Sequence, residues 1–186
     1  NKAEVLEDVI WTIRKLQPDV VINRFNHRTP GSTHGHHTSS AMLSVEAFGM
    51  AGNPKMFPDQ LEYTSPWTPQ RLFLNTSWWF YGSIEAFEKA DKTNLSTVDV
   101  GTYYPVLGKS NTEIAAESRS MHKCQGMGRT PTRGTTLEYL ELLEGDMPSD
   151  QSNPFEGIDM TWNRVEGGKK IGEKIGQILK TYDLMA

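Results

Sequence analysis

Between Glu4 and Phe48 the apolar period of the chain changes twice, and that change restricts it to one class of fold. Val5, Val9, Ile13 and Leu16 recur at helical spacing with Leu6 and Ile10 beside them, so residues 4–16 predict an amphipathic helix. Pro18 ends it. Val20-Val21-Ile22-Asn23 follows, β-branched and bounded by turn formers, and predicts a short buried strand. A polar loop over 24–40 then leads into a second helix, capped at about Thr38, carried by Ala41, Val45 and Phe48, and stopped near Gly49 and Gly52. Helix, strand, loop and helix in that order predict an α/β fold, which places its chemistry on the loop that leaves the strand. The same order is half of a βαβ unit, whose other strand is expected upstream.

The remainder fits this class. Pro54, Pro58, Pro66 and Pro69 make 53–70 a loop or an edge wrapping. Strands are predicted at Arg71–Asn75, Ser96–Val100 and Thr136–Leu143. Ser110 with Glu113 three residues later is a capping box, followed by a helix whose buried stripe is read as Ile114, Ser118 and Met121 and whose stop is expected near Gly126. Residues 145–157 read as loop, and Ile171, Ile175, Ile178 and Leu179 mark a closing amphipathic helix over Val165–Tyr182. A length of 186 residues suits one domain with a real core, so residues 1–186 are expected to be a single domain.

Charge and composition remove several functions. Nineteen basic against 23 acidic residues, with no long run of either sign, leave no basic footprint for a nucleic acid. No apolar run approaches the roughly 18–20 residues of a membrane span. One cysteine, Cys124, excludes an internal disulfide framework and reads as a small packed residue.

Three of the five histidines lie in His34-Gly35-His36-His37, between the strand and the second helix. Imidazole is the commonest metal ligand and titrates nearest neutral pH. A spacing of three lets one imidazole bind a metal while the other faces a substrate, and the helix that follows directs its positive end to the same place. His36, adjacent to His37, reads as a neighbour and not a third ligand. No His-Glu-x-x-His helix, Cys-x-x-Cys pair or Gly-x-Ser-x-Gly elbow accompanies them. His122 reads equally as a cation near a helix end and as a catalytic group. Trp78-Trp79-Phe80-Tyr81 reads first as filling for a core or a cover for a sheet edge, and second as rings for sugar faces.

Together, Leu16-Gln17-Pro18-Asp19-Val20-Val21-Ile22, the His34–His37 loop, Val45-Glu46-Ala47-Phe48 and His122-Lys123-Cys124-Gln125 resemble the PIG-L/LmbE-like zinc-dependent N-deacetylases, in their Bacteroidetes-type form. The resemblance implies a Rossmann-like sheet flanked by helices and hydrolytic removal of N-acetyl groups from N-acetylglucosamine-type sugars or glycoconjugates. It implies that His37 is a zinc ligand and that His34 stabilises the tetrahedral intermediate. Two positions depart from the family pattern: His36 stands where the motif has an orienting Asp, and Cys124 where serine is common. The family's Pro-His-Pro-Asp-Asp motif, which supplies the other ligands and the general base, is missing from residues 1–186. With the unpaired half of the βαβ unit, this gives the expectation that the chain is the C-terminal part of such a domain, its first strands and remaining zinc ligands upstream, and that alone it is inactive. The alternatives are a non-catalytic carbohydrate-binding module and a family member that has lost catalysis.

Overall fold

A computed structural model describes residues 1–125 and 128–183, so the expected stop at Gly126 lies outside the described residues. The chain forms two compact units, Asn1–Pro154 and Phe155–Ala186. The first is α/β, with a central four-stranded sheet flanked by helices. Its elements are α1 (Lys2–Leu16), β1 (Val20–Asn23), α2 (Gly35–Met50), β2 (Arg71–Thr76), α3 (Ile84–Lys89), β3 (Leu95–Asp99), the short β4 (Tyr103–Tyr104) and β5 (Lys109–Ser110), α4 (Asn111–Ser120) and β6 (Leu137–Gly145).

The strand order is β1-β2-β6-β3. β1 and β2 run parallel, with Val20 opposite Arg71 and Asn23 opposite Leu74, while β6 lies antiparallel to both β2 and β3. A register shift between Leu72 and Phe73 marks a bulge in the β2–β6 pairing. β6 ends at Gly145, whose φ of 91° and whose contact with Gln70 both exclude a side chain: a Cβ there would collide with the Gln70 carbonyl. Leu72, Phe73 and Leu74 are fully buried in β2, with Leu95 and Leu140 beside them. β1 corrects its expectation. It is the edge strand of the sheet, and Ile22 is 48% exposed because nothing among the described residues pairs with its outer side.

A second core lies between α1 and α2: Leu6, Ile10, Ile13, Ala47 and Ala51, with Val9, Leu43, Met50, Phe57 and Trp67 packed against them. The buried face of α1 is therefore rotated from the expected stripe, and Val5 and Leu16 stand 47% and 72% exposed. The reason is Arg14, one turn beyond Ile10 and itself buried. Its Nε donates to the Ala51 carbonyl, Nη1 to those of Phe57 and Gln60 (side chain), and Nη2 to those of Asn53 and Met56, at 2.8–3.2 Å. All five donors of the guanidinium are satisfied by neutral oxygens, so one side chain holds the proline-rich segment against the helix.

α4 opens with the expected capping box, the Glu113 backbone N–H donating to Ser110 Oγ and Ser110 N–H to the Glu113 carboxylate. Its buried contact is Ala116, and Ile114 and Met121 are exposed, contrary to the expected stripe. α3 has no counterpart in the sequence reading: it is a single six-residue element begun by Ser83, too short to establish a period. The second unit holds a 3-10 turn at Trp162–Arg164 and α5 (Gly168–Asp183), joined at Gly168, where any Cβ would meet the Trp162 carbonyl.

Candidate active site

Because β1 and β2 are parallel, the segments that leave them emerge at the same end of the sheet. In open α/β sheets that end, outside the carboxyl termini of the strands, is where ligands bind. Here the segment after β1 carries the histidines and the segment after β2 carries the Trp78–Tyr81 turn.

α2 is capped four residues earlier than expected. His34 is its N-cap, extended at φ −63° and ψ 141°, and makes no side-chain capping bond; its carbonyl accepts from the N–H groups of His37 (2.9 Å) and Thr38 (3.3 Å). Thr38, the expected cap, is buried inside the first turn. The correction has a chemical consequence. His34 and His37 are no longer loop residues of free orientation but neighbours one helical turn apart. Their ring centroids are 5.7 Å apart, and those of His36 and His37 are 4.1 Å apart. Phe25 lies flat on His37, 3.8 Å between centroids and 12° between planes. Desolvation, followed by the neighbouring imidazoles of His36 and His34, holds the His37 imidazole below its ordinary pKa. His37 is thus biased toward the neutral form, which is the form that ligates a metal.

Two arginines set the loop that carries Phe25. Arg24 Nη1 donates to Asn75 Oδ1 at 2.7 Å, and Asn75 Nδ2 donates in turn to Glu138 at 2.8 Å. Arg28 Nη2 donates to Glu141 Oε2 at 2.7 Å, while Asn26 Oδ1 accepts from the Arg28 N–H and Nε. Glu141 is buried on β6, the strand inserted at the middle of the sheet. His27, between these residues, has a buried Nδ1 without a partner, and its pKa is pushed down by burial and by Arg28, with Glu141 and Glu144 acting in opposition.

A cavity of about 500 Å³ opens here, lined by Phe25, Gly31, Ser32, Thr33, His34, His37 and Trp79. Its volume is within the range of small-molecule sites. The aromatic turn does not fill a core, since none of Trp78–Tyr81 is buried. Tyr81 is anchored on Phe87, which packs on Tyr139, whereas Trp78 and Trp79 are about half exposed. His122 and Cys124 are exposed in the turn after α4, and the ring contacts of His34, His36 and His37 do not include His122. Cys124 is therefore not the packed residue expected of it.

The zinc implied by the resemblance was tested against these donors. Among the described residues no group of three or more His, Cys, Asp and Glu side chains is placed to hold a metal ion. A zinc centre takes at least three protein ligands. The described residues by themselves therefore do not make a complete zinc site.

Phe25, Arg24, Arg28 and Glu141 were missed as site residues, whereas Trp79 belongs to the run whose second reading was rings for sugar faces. Phe25 carried a signal, standing in a polar loop directly after a strand; Glu141 carried none, because its partner is 113 residues away.

No protein-family model matches the chain, and no curated protein matches it. Among solved structures it is similar to N,N'-diacetylchitobiose deacetylase from Pyrococcus horikoshii, solved with its inhibitor, at 14% identity and a TM-score of 0.36. The match covers 73% of this chain and 51% of that one, so the chain spans about half the length of that enzyme. A likeness of this degree decides no function. No helix among the described residues is long and apolar enough to cross a membrane.

Proposed function

We propose that this chain supplies one wall of the active site of a hydrolase that removes the N-acetyl group of an N-acetylglucosamine-type sugar or glycoconjugate. The observation that carries the reading is the pairing of His34 and His37 on the first turn of α2, in one cavity, at the carboxyl end of the parallel strands. Amide hydrolysis needs a polarised carbonyl and a stabilised oxyanion, and preorganised donors at a helix start supply the second. His34, at the N-cap, donates toward the developing oxyanion, and the α2 macrodipole adds positive potential at the same point. His37, stacked beneath Phe25, is the residue of this chain that would hold zinc, together with ligands from outside the described residues. Zinc, when bound, supplies a Lewis acid and an ionised water. Phe25 and the Arg24 and Arg28 anchors orient the His37 ring.

The test is acetate release from N-acetylglucosamine by the full encoded polypeptide, whatever flanks residues 1–186, with its zinc content measured after dialysis. His37→Ala is expected to remove both zinc and activity. His34→Ala is expected to keep zinc and lower kcat by about 100-fold or more. A polypeptide that holds no zinc and releases no acetate overturns the reading.

A further inference from the structure

The histidine wall accounts for one side of the cavity and leaves Trp79 opposite in sequence origin, delivered by the segment after β2. Three observations separate Trp79 from the rest of its aromatic run. It belongs to the cavity wall, whereas Trp78, Phe80 and Tyr81 are not among the lining residues. It is 50% exposed, unlike a ring that fills a core. It is braced by Phe80, edge to face at 4.9 Å and 77°, on a 3-10 turn closed by Gly82 at φ 86°. The other cavity aromatic, Phe25, already has a face committed to His37. The rest of the wall is hydroxyl and imidazole: Ser32, Thr33, His34 and His37.

A wall with one exposed indole and a hydroxyl-rich rim suits a ligand that is apolar on its faces and polar around its edge. A pyranose ring with equatorial hydroxyls has that pattern, since its C–H bonds point up and down while its hydroxyls and N-acyl group lie at the rim. We propose that Trp79 is the sugar platform of the site, packing against a pyranose face so that the ring's N-acyl group is directed to His34 and His37. This inference rests on the deacetylase reading for the second half of that statement only. The saccharide specificity of the cavity then comes from the segment after β2, and the chemistry from the segment after β1.

The experiment labels the encoded polypeptide with 5-fluorotryptophan and assigns the Trp79 resonance by its loss in Trp79→Phe. N-acetylglucosamine is titrated in, with N-acetylethanolamine as an acyclic amide of matching acyl chemistry. The Trp79 signal is expected to shift with the sugar and to stay in place with the acyclic amide. Trp79→Ala is expected to weaken sugar binding about tenfold and Trp79→Phe by less, as fits the loss of an aromatic contact. A Trp79 signal unmoved at the highest soluble sugar concentration overturns the platform, and so does Trp79→Ala binding within about twofold of the parent. The assignment needs only Trp79→Phe, which keeps an aromatic ring at this position, so the parent spectrum decides even where Trp79→Ala does not fold. Acetate release with an unmoved Trp79 signal sinks the platform and keeps the hydrolase. A shifted signal without acetate release keeps the platform and sinks the hydrolase.

Discussion

Two clusters of polar side chains, 20 residues apart in sequence, are built on opposite plans. Arg14 is almost completely buried, and every guanidinium N–H finds a neutral acceptor on the segment 51–60. His34, His36 and His37 crowd together near the surface, each ring against another imidazole, with Phe25 stacked on His37. A saturated buried cation holds structure, because moving any partner leaves a donor stranded. Crowded imidazoles with one hydrophobic cover do the reverse: they keep donor and acceptor capacity available to something else. The first plan secures the fold, and the second leaves polar groups free for the role proposed above.

The comparison is broken most severely at Arg14. Arg14→Met is expected to lower unfolding free energy by about 3–5 kcal/mol in urea titrations, since it removes five buried or half-buried hydrogen bonds at once. A loss of under about 1 kcal/mol would show that the 51–60 segment closes without it. Next comes Glu141→Gln, which weakens the Arg28 anchor and is expected to cost about 1–2 kcal/mol and to broaden the His37 ring signals. Unchanged His37 signals would disconnect the anchor from the site. Phe25→Leu is expected to cost about 0.5–1.5 kcal/mol from the lost ring pair and, by uncovering the imidazole, to raise the His37 pKa in an NMR titration. A pKa that stays put would assign the depression to His34 and His36 instead.

The pH dependence sharpens the same contrast at His27. Its folded pKa lies below the ordinary imidazole value of 6.5, so between the two values the unfolded chain binds more protons. Stability is then complete above about 6.5 and falls as the pH drops through that window. Replacing His27 with Gln should flatten this slope, measured by thermal unfolding from pH 7.5 to 5, and a slope identical in the variant would assign it elsewhere. The smallest effect is expected at the exposed His36. His36→Asp should change stability by less than about 0.5 kcal/mol, while supplying the carboxylate beside His34 that the resemblance associates with activity. A gain in acetate release without a gain in stability would mark that position as chemical.

Residues 4–50 were legible because their periods are long and uninterrupted: α1, β1 and α2 were all expected, and so was the capping box of α4. Errors arose where tertiary packing overrules local pattern. Nothing in Val20-Val21-Ile22 tells an edge strand from a central one, because the distinction depends on a neighbour and not on the strand itself. The start of α2 was misplaced because His34 ends up as an N-cap without forming a capping bond, so the usual hydroxyl signal pointed to Thr38. Within the candidate site, the histidines were visible as a cluster, whereas their supports were not. Phe25 acts through a stacking contact, and Arg28 through a carboxylate on a distant strand, neither of which leaves a spacing to be read.

The placement of β6 sets a schedule for synthesis. β2 and β3 are not hydrogen-bonded to each other; each pairs with β6, the last strand of the sheet to be made. The histidine corner is therefore translated more than a hundred residues before Glu141, and its loop has no carboxylate to close on until that strand arrives. Pairings of such long range are slow to form. On the ribosome α1 and α2 can pack early around Ile10 and Ala47, while the sheet waits for its centre. The histidine corner is laid down with α2, and the moment at which its Arg28 anchor closes is set by β6.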